Sequence, residues 1–430
     1  MSPGYSGKHD RTLMAQLTDD CFAFGGPMMS VDDAVAMIAS RVQAVQDVEA
    51  VSLAAADGRV LAEAVVASVP LPPFTNSAVD GYAVRSEDLS LAGKQAFPVV
   101  GRIAAGVVAK EAIKPAQAVR IFTGAPMPEG ADTVFMQEDV KVEDGQVFLP
   151  AGLKAGANVR PTGEDISLGA SALSAGARLR PQDVALIAAL GLTKINVRRR
   201  IRVAVFSTGN ELVAPGAERG RSQLFDSNRY MLIAMLGRLG CEVSDLGILP
   251  DDRGSLAQSL RKASAGHDLI LTSGGVSTGE EDHVKAAVES VGSLVLWRIA
   301  IKPGRPVAMG VIEGTPFIGL PGNPVASFVT FTYVVRPTVL ALLGASQDRP
   351  IPNSVRAAFA YKKKISRREY VRVSVRRASD GMLEAVKFPR EGAGLLSSLV
   401  ETDGFVELSE DITQVKPGDV VNFLSYASLT

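Results

Sequence analysis

Cysteine and histidine are nearly missing from this chain: 430 residues contain two cysteines, Cys21 and Cys241, and three histidines, His9, His267 and His283. Two distant cysteines build neither a disulfide framework nor a zinc ribbon nor a CxxC redox motif. Each is read as a free thiol in a reducing compartment, Cys241 as a small core residue following a helix. So few nitrogen and sulfur donors also exclude a transition-metal site made from them. A net charge of −1 excludes the electrostatic footprint of bulk nucleic-acid or membrane-surface binding, while leaving a small anion or a protein partner open. The N-terminus shows no cationic start followed by an apolar core, so no secretory signal is expected. The longest apolar stretch, Val325 to Leu343, is interrupted by Arg336 and Pro337 and does not suit a membrane span. Internal repeats and low-complexity tracts are also missing. A soluble cytoplasmic enzyme is the expectation.

What is present is ordinary globular composition, 47% apolar and 21% charged, in a chain too long for one core, since single cores stop growing at roughly 250–300 residues. The fold class expected is multidomain α/β plus β modules. Residues 1–23 read as a flexible extension. Ser30 and Asp33 open a helix as a variant capping box, followed by a stripe of Val31, Val35, Ile38, Val42 and Val45. Residues 67–163 form a β-rich module, with a hairpin around Asp144-Gly145. A second helix starts at Pro181 and stops at Gly191. Residues 197–347 alternate strand and helix, which predicts a three-layer α/β/α domain with a mainly parallel sheet. The predicted strands are Val203–Ser207, Val243–Ile248, Asp268–Thr272, Leu294–Ala300 and Pro316–Leu320. From 348 to 430, short alternating strands predict a small C-terminal β-barrel.

Ligands of open α/β sheets bind outside the carboxyl ends of the strands. The segments that follow the five strands share one character. They are Ser207–Glu211, Pro250–Asp252, Ser273–Asp282, Ile301–Pro306 and Leu320–Pro324, all rich in Gly, Pro, hydroxyl or charged residues. Glycines allow close backbone approach, and successive N–H groups form an anion nest. Lys302 and Arg305 add cationic donors. Glu211, Asp251 and Asp282 supply hard oxygen ligands of the kind that hold Mg²⁺ beside phosphate. Each acid taken alone reads equally as a helix N-cap; three at one sheet edge do not.

Two short motifs fail. Gly274 and Gly279 have P-loop spacing, but Glu280 stands where that loop needs lysine. Gly275-Val-Ser277-Thr-Gly279 has the nucleophile-elbow pattern, yet the only downstream histidine, His283, is too close for the triad order of that fold. In the β-rich module, the runs Pro70–Val84 and Ile121–Asp132 read mainly as turn chemistry. Asp80 and Thr123 stand out there, each beside a glycine in a constrained loop.

Eight strings in order resemble one family, the molybdopterin molybdenumtransferases, which comprise the bacterial MoeA proteins and the E domain of gephyrin. They are Asn76–Ala83, Thr123–Pro128, Gly163–Asp165, Ser207–Leu212, Asp226–Arg229, Ser273–Ser277, Lys302–Gly304 and Gly319–Pro324. The likeness runs from about residue 24 to the C-terminus. It implies an elongated homodimer of four domains: 24–66 with 164–196, then 67–163, 197–347 and 348–430. It implies adenylylated molybdopterin and molybdate as substrates, AMP as a product, Mg²⁺ as the assisting ion, and a molybdopterin adenylyltransferase as an expected partner.

Carried over residue by residue, the resemblance brings Asp80, Thr123 and Asp165 to the cleft from the β-rich side. Glu211, Asp251, Asp282, Lys302, Pro321 and Pro324 line it from the α/β side of the other subunit, with Glu211, Asp251 and Asp282 as candidate metal ligands. Ser207, Thr208, Gly209, Ser273, Gly274, Gly275, Ser277, Arg298, Arg305, Gly322 and Asn323 complete the candidate substrate site. Two positions depart from the pattern: Ala326 precedes Ser327 where serine often stands, and Arg298 replaces a frequent lysine, which changes hydrogen-bond geometry. Two other readings stand beside this one, a molybdopterin adenylyltransferase resembling residues 197–347 alone, and a gephyrin-like scaffold.

Overall fold

The computed structural model describes residues 28–90, 94–275, 283–346 and 349–429. The expectations for residues 1–23, Ser277 and Asp282 fall outside them. Helix α1 (Val31–Arg41) starts at Ser30, whose hydroxyl accepts from the Asp33 N–H at 3.0 Å and donates to the Asp33 carboxylate at 2.6 Å. The predicted reach-back of Asp33 therefore ends on the hydroxyl instead of the Ser30 backbone. Val31, Ala34, Ile38 and Val42 are the buried stripe, and they join a core with Val334, Val339 and Leu342. Residues 48–67 turn away to meet a later segment. Val48–Ser52 pairs antiparallel with Lys194–Arg198, and Leu61, Leu179, Ile187 and Val197 form a separate small core. Helix α2 (Pro181–Ala189) begins at its proline and ends at Gly191, φ +79°, the N-terminal proline and C-terminal glycine each suiting its position.

The β-rich module is a six-stranded sheet of β1 (Gly81–Val84), β2 (Gln95–Ile103), β3 (Ala118–Ile121), β4 (Thr133–Met136), β5 (Lys141–Glu143) and β6 (Gln146–Leu149), ordered β4-β1-β3-β2-β6-β5. Asp144 and Gly145 turn the β5–β6 hairpin with φ of 49° and 75°, the left-handed pair that matches strand twist.

The central sheet contains β7 (Arg202–Thr208), β8 (Glu242–Leu249), β9 (Leu269–Ser273), β10 (Gly292–Arg298), β11 (Pro306–Ile312) and β12 (Thr315–Leu320), ordered β8-β7-β9-β12-β11-β10. β8, β7, β9 and β12 are parallel; β11 runs antiparallel to both its neighbours. Strand β11 escapes the sequence pattern because it is buried on both faces, so its residues do not alternate. It reverses the chain without moving the site, since its start and the end of β10 share the edge where β7, β9 and β12 finish.

The three layers are visible in the alternation along β7. Val203 and Val205 face one core with Leu232 and Leu236 of α3 (Asn228–Arg238) and with the helix beginning at Pro324. Ala204 and Phe206 face another with Leu256 and Leu260 of α4 (Arg253–Ser264) and Val284 and Val288 of α5 (His283–Val291). The apolar run near 325–343 becomes α6 (Pro324–Thr330), a π-helical turn at Phe331–Val335 and α7 (Arg336–Leu342), and most of it is buried inside the protein. Cys241 follows α3, and burial pushes its thiol up to about 12.

The C-terminal strands are β13 (Asn353–Ala357), β14 (Arg368–Arg377), β15 (Leu383–Lys387), β16 (Gly404–Leu408) and β17 (Val420–Ser425). The ladder β14-β15-β13-β17-β16 closes through β16–β14 pairing, giving a small barrel. The short segment Ile301–Lys302, between β10 and β11, adds to β14 as a parallel strand.

Candidate functional site

At the carboxyl edge of the central sheet, two glycine-rich loops are held against each other. Gly274 and Gly275 follow β9 with φ of +92° and +67°, conformations that L side chains resist. A Cβ on Gly275 would stand 2.5 Å from Val284 Cγ2 and 3.0 Å from Thr208 Cγ2. The Gly274 N–H donates to Leu320 O at 3.0 Å, docking this turn on the end of β12. Asn228, the first residue of α3, crosses to both loops: its Nδ2 donates to Ser273 Oγ at 2.8 Å and to Gly322 O at 2.7 Å. Ser273 Oγ in turn donates to Pro321 O at 3.3 Å. Beneath this clamp, buried Arg229 pairs with buried Asp226 at 2.7 Å and with Asp245. The string Asp226–Arg229 is therefore a staple at the start of α3. Pro321, Gly322 and Asn323 lead directly into α6, with Pro324 in its first turn.

The acids of the same edge take different places. Gly209, at φ +140°, leaves room for the Glu211 carboxylate, whose oxygens stand 2.6 and 2.7 Å from where a Cβ would be. Asp251 accepts from Thr208 Oγ1 at 3.2 Å. The cap of α4 is its neighbour Asp252, which accepts from Ser255 N–H at 2.9 Å. The N-cap alternative thus applies to Asp252 and leaves Asp251 available. Ser207 is buried, and its hydroxyl has no partner among the described residues.

Lys302 points elsewhere than the glycine turns. Its ammonium lies 3.2 Å from Glu369 Oε2 and 3.4 Å from the Tyr361 hydroxyl, both from the barrel. Burial alone would raise the Glu369 carboxyl, but hydrogen bonds from Tyr361 and Arg367 and the charge of Lys302 outweigh it and hold the group below its usual range. Lys302 opens a cavity of about 240 Å³ shared with Arg372, Lys387 and Arg390. Arg372 donates to Ser398 Oγ at 2.7 Å and to Gly392 O at 2.9 Å. The barrel loop at Gly392–Gly394 closes on the Asn323–Val325 turn, where the Val325 N–H donates to Ala393 O at 3.0 Å. These barrel cations were not among the residues singled out in the sequence; the glycine-containing run Lys387–Gly394 is a signal for Lys387 and Arg390, while Arg372 lies within β14 and has none. Arg298 ends β10, and Arg305 is exposed just before β11.

In the β-rich module, Asp80 and Thr123 do meet. Asp80 Oδ1 accepts from the Thr123 N–H at 2.8 Å and from its hydroxyl at 2.7 Å, and these bonds hold the Asp80 carboxyl below its ordinary value. Asp165 is exposed on a separate crossing, its N–H donating to Leu71 O. No hydrogen bond joins it to the other two.

Among the described residues, no group of three His, Cys, Asp or Glu is gathered for a metal. Glu211 and Asp251, on the loops after neighbouring strands β7 and β8, fit a hard cation whose remaining ligands are phosphate oxygens and water. A larger, mainly apolar cavity of about 560 Å³ lies between α1, the 331–345 helical segment and the barrel. It contains none of the candidate site residues.

Family models for the MoeA N-terminal region (domain I and II), the probable molybdopterin binding domain and the MoeA C-terminal region (domain IV) match residues 29–191, 204–341 and 354–426. A molybdopterin molybdenumtransferase of Haemophilus influenzae is 38% identical over 396 residues, covering 92% of this chain and 98% of the relative. One from Nostoc sp. is 36% identical over 404 residues, covering 91% and 92%. A crystal structure of the molybdopterin biosynthesis MoeA protein from Pyrococcus horikoshii aligns with a TM-score of 0.78 at 30% identity, covering 93% of this chain and 100% of that one. With its three domain matches in order and full-length relatives of this likeness, the chain belongs to the molybdopterin molybdenumtransferase family of molybdenum cofactor biosynthesis.

Proposed function

We propose that this protein inserts molybdate into the dithiolene of adenylylated molybdopterin, with release of AMP. The observation that carries the reading is the clamped edge of the central sheet. There two glycine-rich turns are locked together by Asn228, with Glu211 and Asp251 beside them. A rigid concavity of loop backbone suits the phosphoanhydride, because donors fixed in advance need no reorganisation as charge develops. Glu211 and Asp251, joined by Asp282 on the family pattern, would hold Mg²⁺ at the phosphate, where it supplies charge neutralisation. Lys302, Arg372, Lys387 and Arg390 outnumber Glu369 and Glu391 around a cavity with the chemistry to retain an oxyanion such as molybdate. Asp80 and Thr123 complete the site from the partner subunit of a homodimer, Asp80 in its ionised form as an acceptor.

The test is direct. Purified protein with adenylylated molybdopterin, Mg²⁺ and molybdate should release AMP and yield active cofactor, and light scattering should give the mass of a dimer. No AMP from authentic substrate overturns the proposal. Formation of the adenylate from ATP would instead establish the adenylyltransferase reading.

A further inference from the structure

The β-rich module carries a row of side chains that none of these roles uses. Tyr82 on β1 and Arg102 on β2 are both register partners of Arg120 on β3, so the three stand side by side across three strands. Phe122 lies two residues beyond Arg120 and next to Thr123. The opposite face of these strands holds the core of Ala83, Val119, Ile121 and Ile103. On the outer face, the Arg120 guanidinium lies 5.0 Å from the Tyr82 ring centre and 4.9 Å from that of Phe122. Arg102 lies 4.5 Å from the Phe122 ring centre.

The partners of these arginines differ from those of others in the chain. Arg59, Arg199, Arg229, Arg356 and Arg368 each hold a carboxylate. Arg120 donates to Gly81 O and to the Gln137 side chain. Among the described residues, neither Arg120 nor Arg102 has a carboxylate within ion-pair distance, although the Arg120 charge acts on nearby Asp80 and helps hold its carboxyl low. A guanidinium filled by a carboxylate has its donor fork occupied. Arg102, steadied by the Phe122 ring face, keeps its in-plane N–H groups for another anion, and Arg120 keeps those not given to Gly81 O and Gln137. The ionised Asp80 at the Thr123 end repels a second anion there, which directs it toward the Arg102 end of the row.

We infer that Arg102 and Arg120, steadied by Phe122 and Tyr82, form a phosphate-binding platform for a nucleotide-type phosphoanhydride beside the Asp80–Thr123 turn. The inference rests on the proposed function, in which this module faces the substrate of the α/β edge, and it assigns the module a binding role of its own.

Hydrogen exchange of the full chain separates the two ideas. Inorganic pyrophosphate and adenosine 5′-monophosphate should each slow exchange in peptides covering 118–124 and, independently, in those covering 272–275. In Arg102→Gln and Arg120→Gln the half-saturating pyrophosphate concentration at 118–124 should rise about tenfold, as expected for one lost charge-assisted contact, while that at 272–275 stays the same. Phe122→Leu, which keeps both charges but removes their shared ring, should give a smaller rise. Arg102 is exposed, so Arg102→Gln tests binding without risk to the fold. Absence of protection at 118–124 in the unaltered protein, or unchanged saturation in both arginine variants, overturns the platform and leaves the proposed function standing. Absence of protection at 272–275 counts against the function and leaves the platform standing. Adenosine protecting 118–124 as well as its phosphate does, or a short single-stranded oligonucleotide outcompeting pyrophosphate there, also overturns the assignment.

Discussion

The edge of the central sheet and the Asp80–Thr123 turn are both candidate halves of one site, yet they are built in opposite ways. At the sheet edge the turns lie on strands buried on both faces, and buried side chains tie separate segments together: Asn228 to Ser273 and Gly322, with Arg229 held by Asp226 three residues before it and by Asp245 of β8. At the β-rich module the turn stands in solvent, and its order comes from one carboxylate gripping the neighbouring N–H and hydroxyl. Function and stability should therefore be hard to separate in the first region and easy to separate in the second.

Arg229→Ala is the strongest test of the first half. It leaves the Asp226 carboxylate buried beside an empty position and should cost about 3–5 kcal/mol in urea unfolding. A loss near that of a surface substitution would dissolve the contrast. Next in size, Asn228→Ala strands the Gly322 carbonyl and removes the donor to Ser273 Oγ, which keeps its bond to Pro321 O, at a cost of about 1–3 kcal/mol. Amide exchange at 272–275 and 321–323 should quicken before the rest of the domain. Asn228→Asp, which sets an oxygen against the Gly322 carbonyl, should slow turnover further than Asn228→Ala.

The smallest stability effect is expected at the module. Thr123→Val should change stability by less than about 0.5 kcal/mol while lowering turnover. Its clearest sign is the titration of Asp80. Because Thr123 lowers the folded carboxyl, that contribution is present above the unfolded value and is lost as pH falls through the folded one. In Thr123→Val the Asp80 midpoint, followed by carboxyl-carbon NMR, should rise toward the ordinary 3.8. The Thr123 N–H bond to Asp80 stays in this variant, so the rise should be partial, and a midpoint that does not move would show that the hydroxyl bond does not help set the charge of Asp80.

Much of this arrangement is legible along the chain because glycine and proline mark places where backbone must approach or turn. Gly274-Gly275 and Pro321-Gly322 announce their loops, and the positive φ at Gly275 shows why no other residue serves there. Strand β11 is not legible, because two covered faces erase the period of two on which strand reading depends. The role of Asn228 is hidden for a different reason. Its partners lie 45 and 94 positions away, and only the folded sheet brings them within reach. Lys302 reads as a cationic donor on a loop beside the glycine turns, but its direction is set by Glu369 and Tyr361 in the barrel, which local pattern does not encode.

That same lysine sits on a segment with two allegiances. Ile301 and Lys302 are joined covalently to β10 and β11 of the central domain, yet their ladder partners are Arg368 and Glu369 of the barrel. The segment therefore works as a mechanical linkage: the tilt of the barrel and the position of the Lys302 ammonium form one coordinate. A ligand that draws on this charge therefore meets a group held by both domains, close to the turn at Asn323, where the Ala393 carbonyl accepts from the Val325 N–H.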